Sequence, residues 1–407
     1  MSDRPVDHSR RKFISRSLTG LAAAGLAGAV PGAVMAQKSA ETTSDAPRKI
    51  IYRELGKTKM KLPIVSMGVM NASNPEVVAA SYKLGVRHFD TAAYYQFGRN
   101  EQMVGNVIKK LGVRDKVSIA TKVLAGVHRE KLSGDEAREG FLTALDGSLK
   151  RLQMDYVDII YLHSVSSVED ISNAGIMEGM TQAKKDGRVR AIGVSTHTNM
   201  ADVLNECART GFYDVVLTSI NVAMADEGDL LLAIEKAASK GIGIVAMKTQ
   251  AGGSRFSADQ LEKYSSPTVA TASLKWVMRN ENITTSIPGY DNFQHMNEDF
   301  SVAYDLAYTP DEEKLLNDGE IKLGLGFCRQ CRSCLASCPH KADIPTLMRV
   351  HMYAAGYANF HHARSVLDDI PADENLNQCG QCTNCTAACA HMVNIPKSID
   401  ELKTMYA

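Results

Sequence analysis

Two stretches of this chain hold sulfur at metal-binding spacing. Residues 328–345 read CRQCRSCLASCPHKADIP, and residues 379–396 read CGQCTNCTAACAHMVNIP. Cys328, Cys331, Cys334 and Cys338 recur at the same spacing as Cys379, Cys382, Cys385 and Cys389. His340 recurs as His391, and Ile344-Pro345 as Ile395-Pro396, while Ala390 stands where the first run has Pro339. Eight of the nine cysteines therefore lie in a repeated tail, which calls for one shared chemistry. In Cys-x2-Cys-x2-Cys, close turns present three thiolates to three irons of one cubane, and the fourth cysteine ligates the other cluster of a pair. One [4Fe-4S] cluster would use Cys328, Cys331, Cys334 and Cys389. The second would use Cys379, Cys382, Cys385 and Cys338. Zinc more often draws on two separated Cys-x-x-Cys pairs, and disulfides suit repeated adjacent Cys-x-x-Cys frames less well. His340 and His391 read as groups beside the clusters rather than ligands.

A second constellation lies upstream, where polar residues end apolar strands. Asp90 ends one in HFDTAAYYQFGRNE, Lys122 another in IATKV, and His163 a third in IIYLHS. Tyr95 follows Asp90 in the loop, and Tyr94 beside it reads as a packing aromatic. Such a set can deliver a proton to an oxygen on which negative charge develops. Tyrosine is a weak acid at neutral pH, with a reference pKa near ~10, and an adjacent ammonium favours its phenolate. Lys122, held by Asp90, is expected to lower the Tyr95 pKa, and His163 to orient the substrate oxygen.

The elements that must position these residues alternate. Short apolar runs such as VSIATKV and YVDIIYLHSV are each followed by a longer amphipathic stretch. Eight such alternations over about 260 residues predict an α/β fold, a (β/α)8 TIM barrel, with catalytic groups at the strand C-termini. An open doubly wound sheet is the alternative, but no Gly-x-Gly-x-x-Gly follows the early strands. GKT at 56–58 lacks the upstream glycine of a phosphate loop and reads as the turn of an N-terminal hairpin.

FDTAAYY…NE, ATK, YLHS, AIGVST, GIGIVAMK…AGG and IPG, in that order over roughly residues 50–305, resemble the aldo-keto reductase family. The resemblance implies a catalytic tetrad of Asp90, Tyr95, Lys122 and His163, and NADP(H) or NAD(H) as cofactor. It places the cofactor against Ser195, Thr196, Lys248, Gly252, Gly253 and Gly289. Departures leave the nucleotide open: Thr196 replaces the usual asparagine, Leu217 stands where a glutamine is common, and Gly289 and His295 fall where basic residues commonly hold a 2′-phosphate. A barrel with altered cofactor use also remains. The tail resembles a small α-helical two-cluster ferredoxin, with Pro345 and Pro396 in first helical turns.

Lys+Arg and Asp+Glu are equal at 46 each, so no basic excess points to nucleic acid. SRRKFIS followed by LTGLAAAGLAGAVPGAVMAQ resembles a twin-arginine export signal. Its Ala/Gly-rich run, broken by Pro31, is a poor membrane span, so none is expected after cleavage. The expected organisation is a signal peptide at 1–36, a linker at 37–48, the barrel at 49–315 and the two-cluster domain at 316–407, in a periplasmic protein. The expected function is carbonyl/alcohol interconversion with Tyr95 as proton donor, coupled to the clusters. The expected partners are a small carbonyl or alcohol and an external redox protein or quinone-linked system. The alternatives are an electron-transfer protein whose barrel is a docking scaffold, and an ordinary reductase with structural clusters.

Overall fold

The computed structural model of the chain describes residues 49–124, 132–251, 263–318 and 327–406. The export segment, the linker, and Gly252 and Gly253 lie outside the described residues. An antiparallel hairpin, β1 (Tyr52–Glu54) and β2 (Lys61–Pro63), opens the fold, and Gly56–Thr58 forms its turn as expected. Eight parallel strands follow: β3 (Met67–Gly68), β4 (His88–Asp90), β5 (Ser118–Val123), β6 (Val157–Val165), β7 (Val189–Thr196), β8 (Val215–Ser219), β9 (Gly243–Met247) and β10 (Thr285–Ser286). They pair in chain order. A parallel bridge between Val65 and Ser286 joins the first to the last, with Ser66 N donating to Ser286 O at 2.8 Å. The sheet thus closes into the expected barrel.

The longer strands β5, β6, β8 and β9 are mostly apolar because both their faces are buried. Ala120, Ile159, Tyr161, Ala191, Val215, Leu217 and Val245 fill the interior, and Leu55 and Leu62 of the hairpin join that cluster. The outward faces pack on the surrounding helices. One helix pair comes close through a glycine. Gly105, in the helix Arg99–Leu111, lies against the end of the helix Gly134–Leu152, and a Cβ at Gly105 would fall 2.2 Å from the Leu152 carbonyl oxygen.

The tail is helical, as its sequence suggests. Ile344–His351 continues into a π-turn at Met352–Gly356, then come the helices Phe360–Asp368 and Ile395–Tyr406. Pro345 lies in the first turn of its helix, where its missing N–H costs nothing. The first helix buries Ile344, Leu347, Met348 and Val350, and the last buries Ile395, Ile399 and Leu402. This apolar layer is continuous with the core around the barrel. No helix among the described residues is long and apolar enough to cross a membrane.

Gly105→Ala should lower stability by about 1–3 kcal/mol, since a backbone carbonyl cannot yield as a flexible side chain would. Denaturant unfolding should show it as a lower midpoint. An unchanged midpoint would mean that the two helices are free to separate.

Candidate active site and cysteine centre

The tetrad assembles at the C-terminal mouth of the barrel. Lys122, 2% exposed inside the barrel wall, forms an ion pair with Asp90, 1% exposed, and donates to Thr91 O at 2.7 Å. Its Nζ lies 3.4 Å from Tyr95 Oη. The His163 ring meets the Tyr95 ring edge-on at 6.1 Å between centroids. Strained backbone gathers around these groups. Gln96 and Phe97 after Tyr95, Ser164 after His163, and Lys248 after β9 all have positive φ without being glycine. The β6–β7 register also shifts between Leu162 and Val165, the stretch that contains His163.

Burial governs the electrostatics. It pulls Asp90 up and Lys122 down, and the mutual attraction of the pair opposes both. The expectation that Lys122 lowers the Tyr95 pKa is corrected. Burial raises that pKa well above the ordinary value, and Asp90, Tyr353 and Tyr357 push the same way. Removing the phenol from water costs its anion more than the nearby ammonium returns. His197 is held well below the ordinary histidine range, by burial first and then by Lys248 and Arg349.

Above the tetrad lies a cavity of about 1790 Å³. Its wall includes Asp90, Tyr95, His163, Leu217, Lys248 and Gly289 from the barrel, and Arg349, Tyr353, Tyr357, His362 and Asp369 from the tail. The tail is therefore the roof of the site. Its attachments reach loops that follow five strands. Asn359 Nδ2 donates to Asn71 Oδ1 at 3.0 Å, Tyr94 Oη to Asp369 Oδ2 at 2.7 Å, and Thr198 Oγ1 to Gln330 Oε1 at 3.4 Å. Lys248 Nζ donates to Tyr353 Oη at 3.1 Å, and Arg329 pairs with Asp226 at 2.7 Å and Glu227 at 3.1 Å. Tyr94, read as a packing aromatic, is instead a bonded wall residue.

The residues expected to hold the nucleotide divide. Gly289 and Lys248 line the cavity, Lys248 with its ammonium also over the Tyr353 ring. Ser195 and Thr196 are buried in β7. The Ser195 hydroxyl accepts from Ser164 N at 2.9 Å, and that of Thr196 donates to Thr198 O at 2.8 Å. Sequence reasoning missed Tyr353, His362, Asn359 and Asp369. Their barrel partners lie more than a hundred positions away, so no local spacing signals them.

In the tail, burial pushes the Cys328 thiol up to about 12; the Gln330 backbone N–H opposes this, while Cys334, Cys389 and Cys331 add to it. Burial pushes Cys379 up to about 11, with Cys338, Cys385 and Cys382 adding to it and Lys403 opposing. Each thiol thus feels two neighbours of its own run and one cysteine of the other. The runs are also laced together, Thr386 Oγ1 donating to Ser337 O and Ala388 N to Ser337 Oγ, both at 3.0 Å. Among the described residues, no three His, Cys, Asp or Glu side chains close around a single-ion position. Crowded buried thiols disfavour their own anions, and bound iron would relieve that cost, so these donors fit iron–sulfur groups.

Comparison with known proteins follows this division of the chain. The profile of the aldo/keto reductase family matches residues 60–268, and that of a 4Fe-4S dicluster domain matches residues 327–394. L-galactose dehydrogenase of Arabidopsis thaliana is 25% identical over 308 residues, covering 68% of this chain and 95% of that protein. L-glyceraldehyde 3-phosphate reductase of Escherichia coli O157:H7 is 22% identical over 330 residues, covering 67% and 94%. The crystal structure of an aldo/keto reductase from Brucella melitensis superposes with a TM-score of 0.51 at 23% identity, over 66% of this chain and 98% of that one. A barrel with the tetrad at its mouth, this family match and the paired cysteine runs together place the chain: it is an oxidoreductase that belongs to the aldo/keto reductase family and carries a C-terminal 4Fe-4S dicluster domain.

Proposed function

We propose that the chain interconverts a small carbonyl compound and its alcohol, with Tyr95 as proton donor, NAD(H) as hydride carrier and two [4Fe-4S] clusters that exchange electrons with an external partner. Export by the twin-arginine route is part of the same proposal. The observation that carries it is the Tyr95 phenol, 3.4 Å from a buried ammonium and facing a cavity that the cluster-bearing tail encloses. The names of the relatives, a sugar dehydrogenase and a triose-phosphate reductase, support small hydroxylated substrates.

Nicotinamide bound in the cavity supplies or accepts the hydride. The wall of Leu217, Lys248, Gly289, His295 and Asp299 would hold it. Around Gly289 the wall carries the acidic side chains of Asp291 and Glu298, which disfavour a 2′-phosphate and so favour NAD(H). In the reducing direction His163 positions the carbonyl oxygen. Tyr95, kept protonated by burial, gives its proton to the developing alkoxide. Lys122 then stabilises the phenolate, and Asp90 keeps the lysine charged and placed. Exclusion of water by the tail strengthens each of these interactions. Cys328, Cys331, Cys334 and Cys389 would hold one cluster, and Cys379, Cys382, Cys385 and Cys338 the other. The neighbours of Cys328 and Cys379 support this crossing. The clusters supply one-electron transfer.

Tyr95→Phe should reduce turnover of glyceraldehyde by at least ~10²-fold while leaving NADH affinity intact. Fluorescence titration of the same proteins should show NADH bound more tightly than NADPH. Normal turnover by the variant sinks the proton-donor assignment.

Cys331→Ser and Cys389→Ser should each remove the same cluster, about four irons per chain, and the double variant should lose no more than either single one. Iron and sulfide analysis reads this directly, and additive loss would overturn the crossed assignment.

Burial pushes Asp299 from 3.8 up to about 7, against a hydrogen bond from Gln250. The folded chain therefore binds this proton more tightly than the unfolded one. The resulting stability is complete below the unfolded pKa and is lost as pH rises through the folded one. Asp299→Asn should flatten that slope, gaining on the order of 3 kcal/mol over wild type between pH 5 and pH 8. Urea unfolding at both pH values measures it, and parallel pH dependences would refute it.

A further inference from the structure

The Tyr95 phenol has imidazole on two sides. One belongs to His163. The other belongs to His362, whose ring meets that of Tyr95 edge-on at 5.5 Å between centroids. His362 comes from the cluster-bearing tail, 199 residues beyond His163 in the chain. Its ring also lies against Tyr94 at 5.7 Å and Tyr353 at 4.4 Å.

The helix that carries His362 is held to the barrel at both ends. Asn359, its N-cap, accepts from His362 N at 3.2 Å and donates to Asn71 of the loop after β3. Asp369, its C-cap, accepts from Tyr94 of the loop after β4. Two hydrogen bonds from two barrel loops therefore fix the helix over the tetrad and present its first turn to the cavity.

His362 lines that cavity, is only 7% exposed, and its Nδ1 is buried with no hydrogen-bond partner. A buried polar atom left unpaired costs about 1–3 kcal/mol, so this one, on a side chain that lines the cavity, is placed to gain from a partner bound there. Burial first, then the charges of Lys248, Arg349 and Lys122, hold this histidine down to about 3. It is thus neutral at working pH and offers one donor and one acceptor. The unpaired Nδ1, donor or acceptor according to the tautomer, suits a hydroxyl group, which can take either complementary role.

We propose that His362 is a substrate-contacting residue, supplied by the cluster-bearing tail, that binds the hydroxyl next to the reacting oxygen while His163 and Tyr95 engage the reacting oxygen itself. The inference rests on the carbonyl–alcohol reading of the Tyr95 site and adds its substrate class: an α-hydroxy carbonyl compound or a vicinal diol. It also gives the tail a role in substrate choice that is independent of electron transfer.

The experiment compares glyceraldehyde with propanal, which lacks the neighbouring hydroxyls, in the full cluster-loaded protein. In wild type, kcat/KM should favour glyceraldehyde. His362→Ala should lower kcat/KM for glyceraldehyde roughly 10- to 100-fold, mainly through KM, and leave propanal within about twofold. His362→Asn, which keeps a donor and an acceptor, should recover part of the loss. Iron content and melting temperature are measured on each variant, and a variant that loses iron is replaced by Asn359→Ala, which loosens the helix and should shift KM the same way. Equal losses for the two compounds, or none, overturn the inference. Wild-type protein that turns over neither compound overturns the carbonyl–alcohol reading itself and the inference with it, whereas normal wild-type turnover with unchanged discrimination in both His362 variants overturns only the inference.

Discussion

The ion pair between Lys122 and Asp90 sets the conditions for everything around it. Both charges are almost wholly withdrawn from water. Each is tolerable only because the other is present, since an unpaired charge in such a place costs several kcal/mol. The barrel makes the pairing possible by setting β4 beside β5, in register, so that two strand ends deliver the two side chains to one point. The hydrogen bond from Lys122 to Thr91 O uses another ammonium proton and leaves Tyr95 Oη next in reach. The reactive phenol is thus positioned by a pair that could not persist in an open, wet mouth without losing much of its strength.

The tail is what keeps the mouth from being open. Its attachments are distributed over the loops after β3, β4, β7, β8 and β9, and each uses a side chain that would otherwise face solvent or substrate. Lys248 shows the consequence. Its ammonium, at the end of β9, is directed to Tyr353 of the tail, and burial lowers its pKa. A residue that the family resemblance assigns to the nucleotide is here also a joint between the two parts of the chain.

The same tail brings its sulfur close to that joint. Gln330 accepts from Thr198 of the barrel, donates to the Pro345 carbonyl at 2.7 Å and donates to Cys328 Sγ at 3.3 Å. A cysteine expected to hold iron is therefore two side chains away from the loop after β7. Hydrogen bonds to cluster sulfurs tune reduction potential, and the Gln330 side chain bonds both a cysteine sulfur and the barrel.

Much of this was legible in the sequence because the relevant signals are local. Apolar runs of strand length declare the barrel, since strands buried on both faces are rich in apolar residues. The polar residues ending those runs declare the tetrad, and cysteines three and four residues apart declare the iron–sulfur chemistry. What the sequence could not decide depends on where distant segments dock. Asn359 meets Asn71 across 288 positions, and Tyr94 meets Asp369 across 275, without any periodicity linking them. The Tyr95 pKa went the wrong way for the same reason. Proximity of Lys122 is implied by adjacent strand ends, but burial depends on the roof, and the roof comes from the far end of the chain. Residue type and spacing thus singled out the candidate groups and the elements on which they sit. Only the tertiary structure decided how dry that site is and that His362 lines it, because desolvation is a property of all the surfaces that meet and not of any one segment.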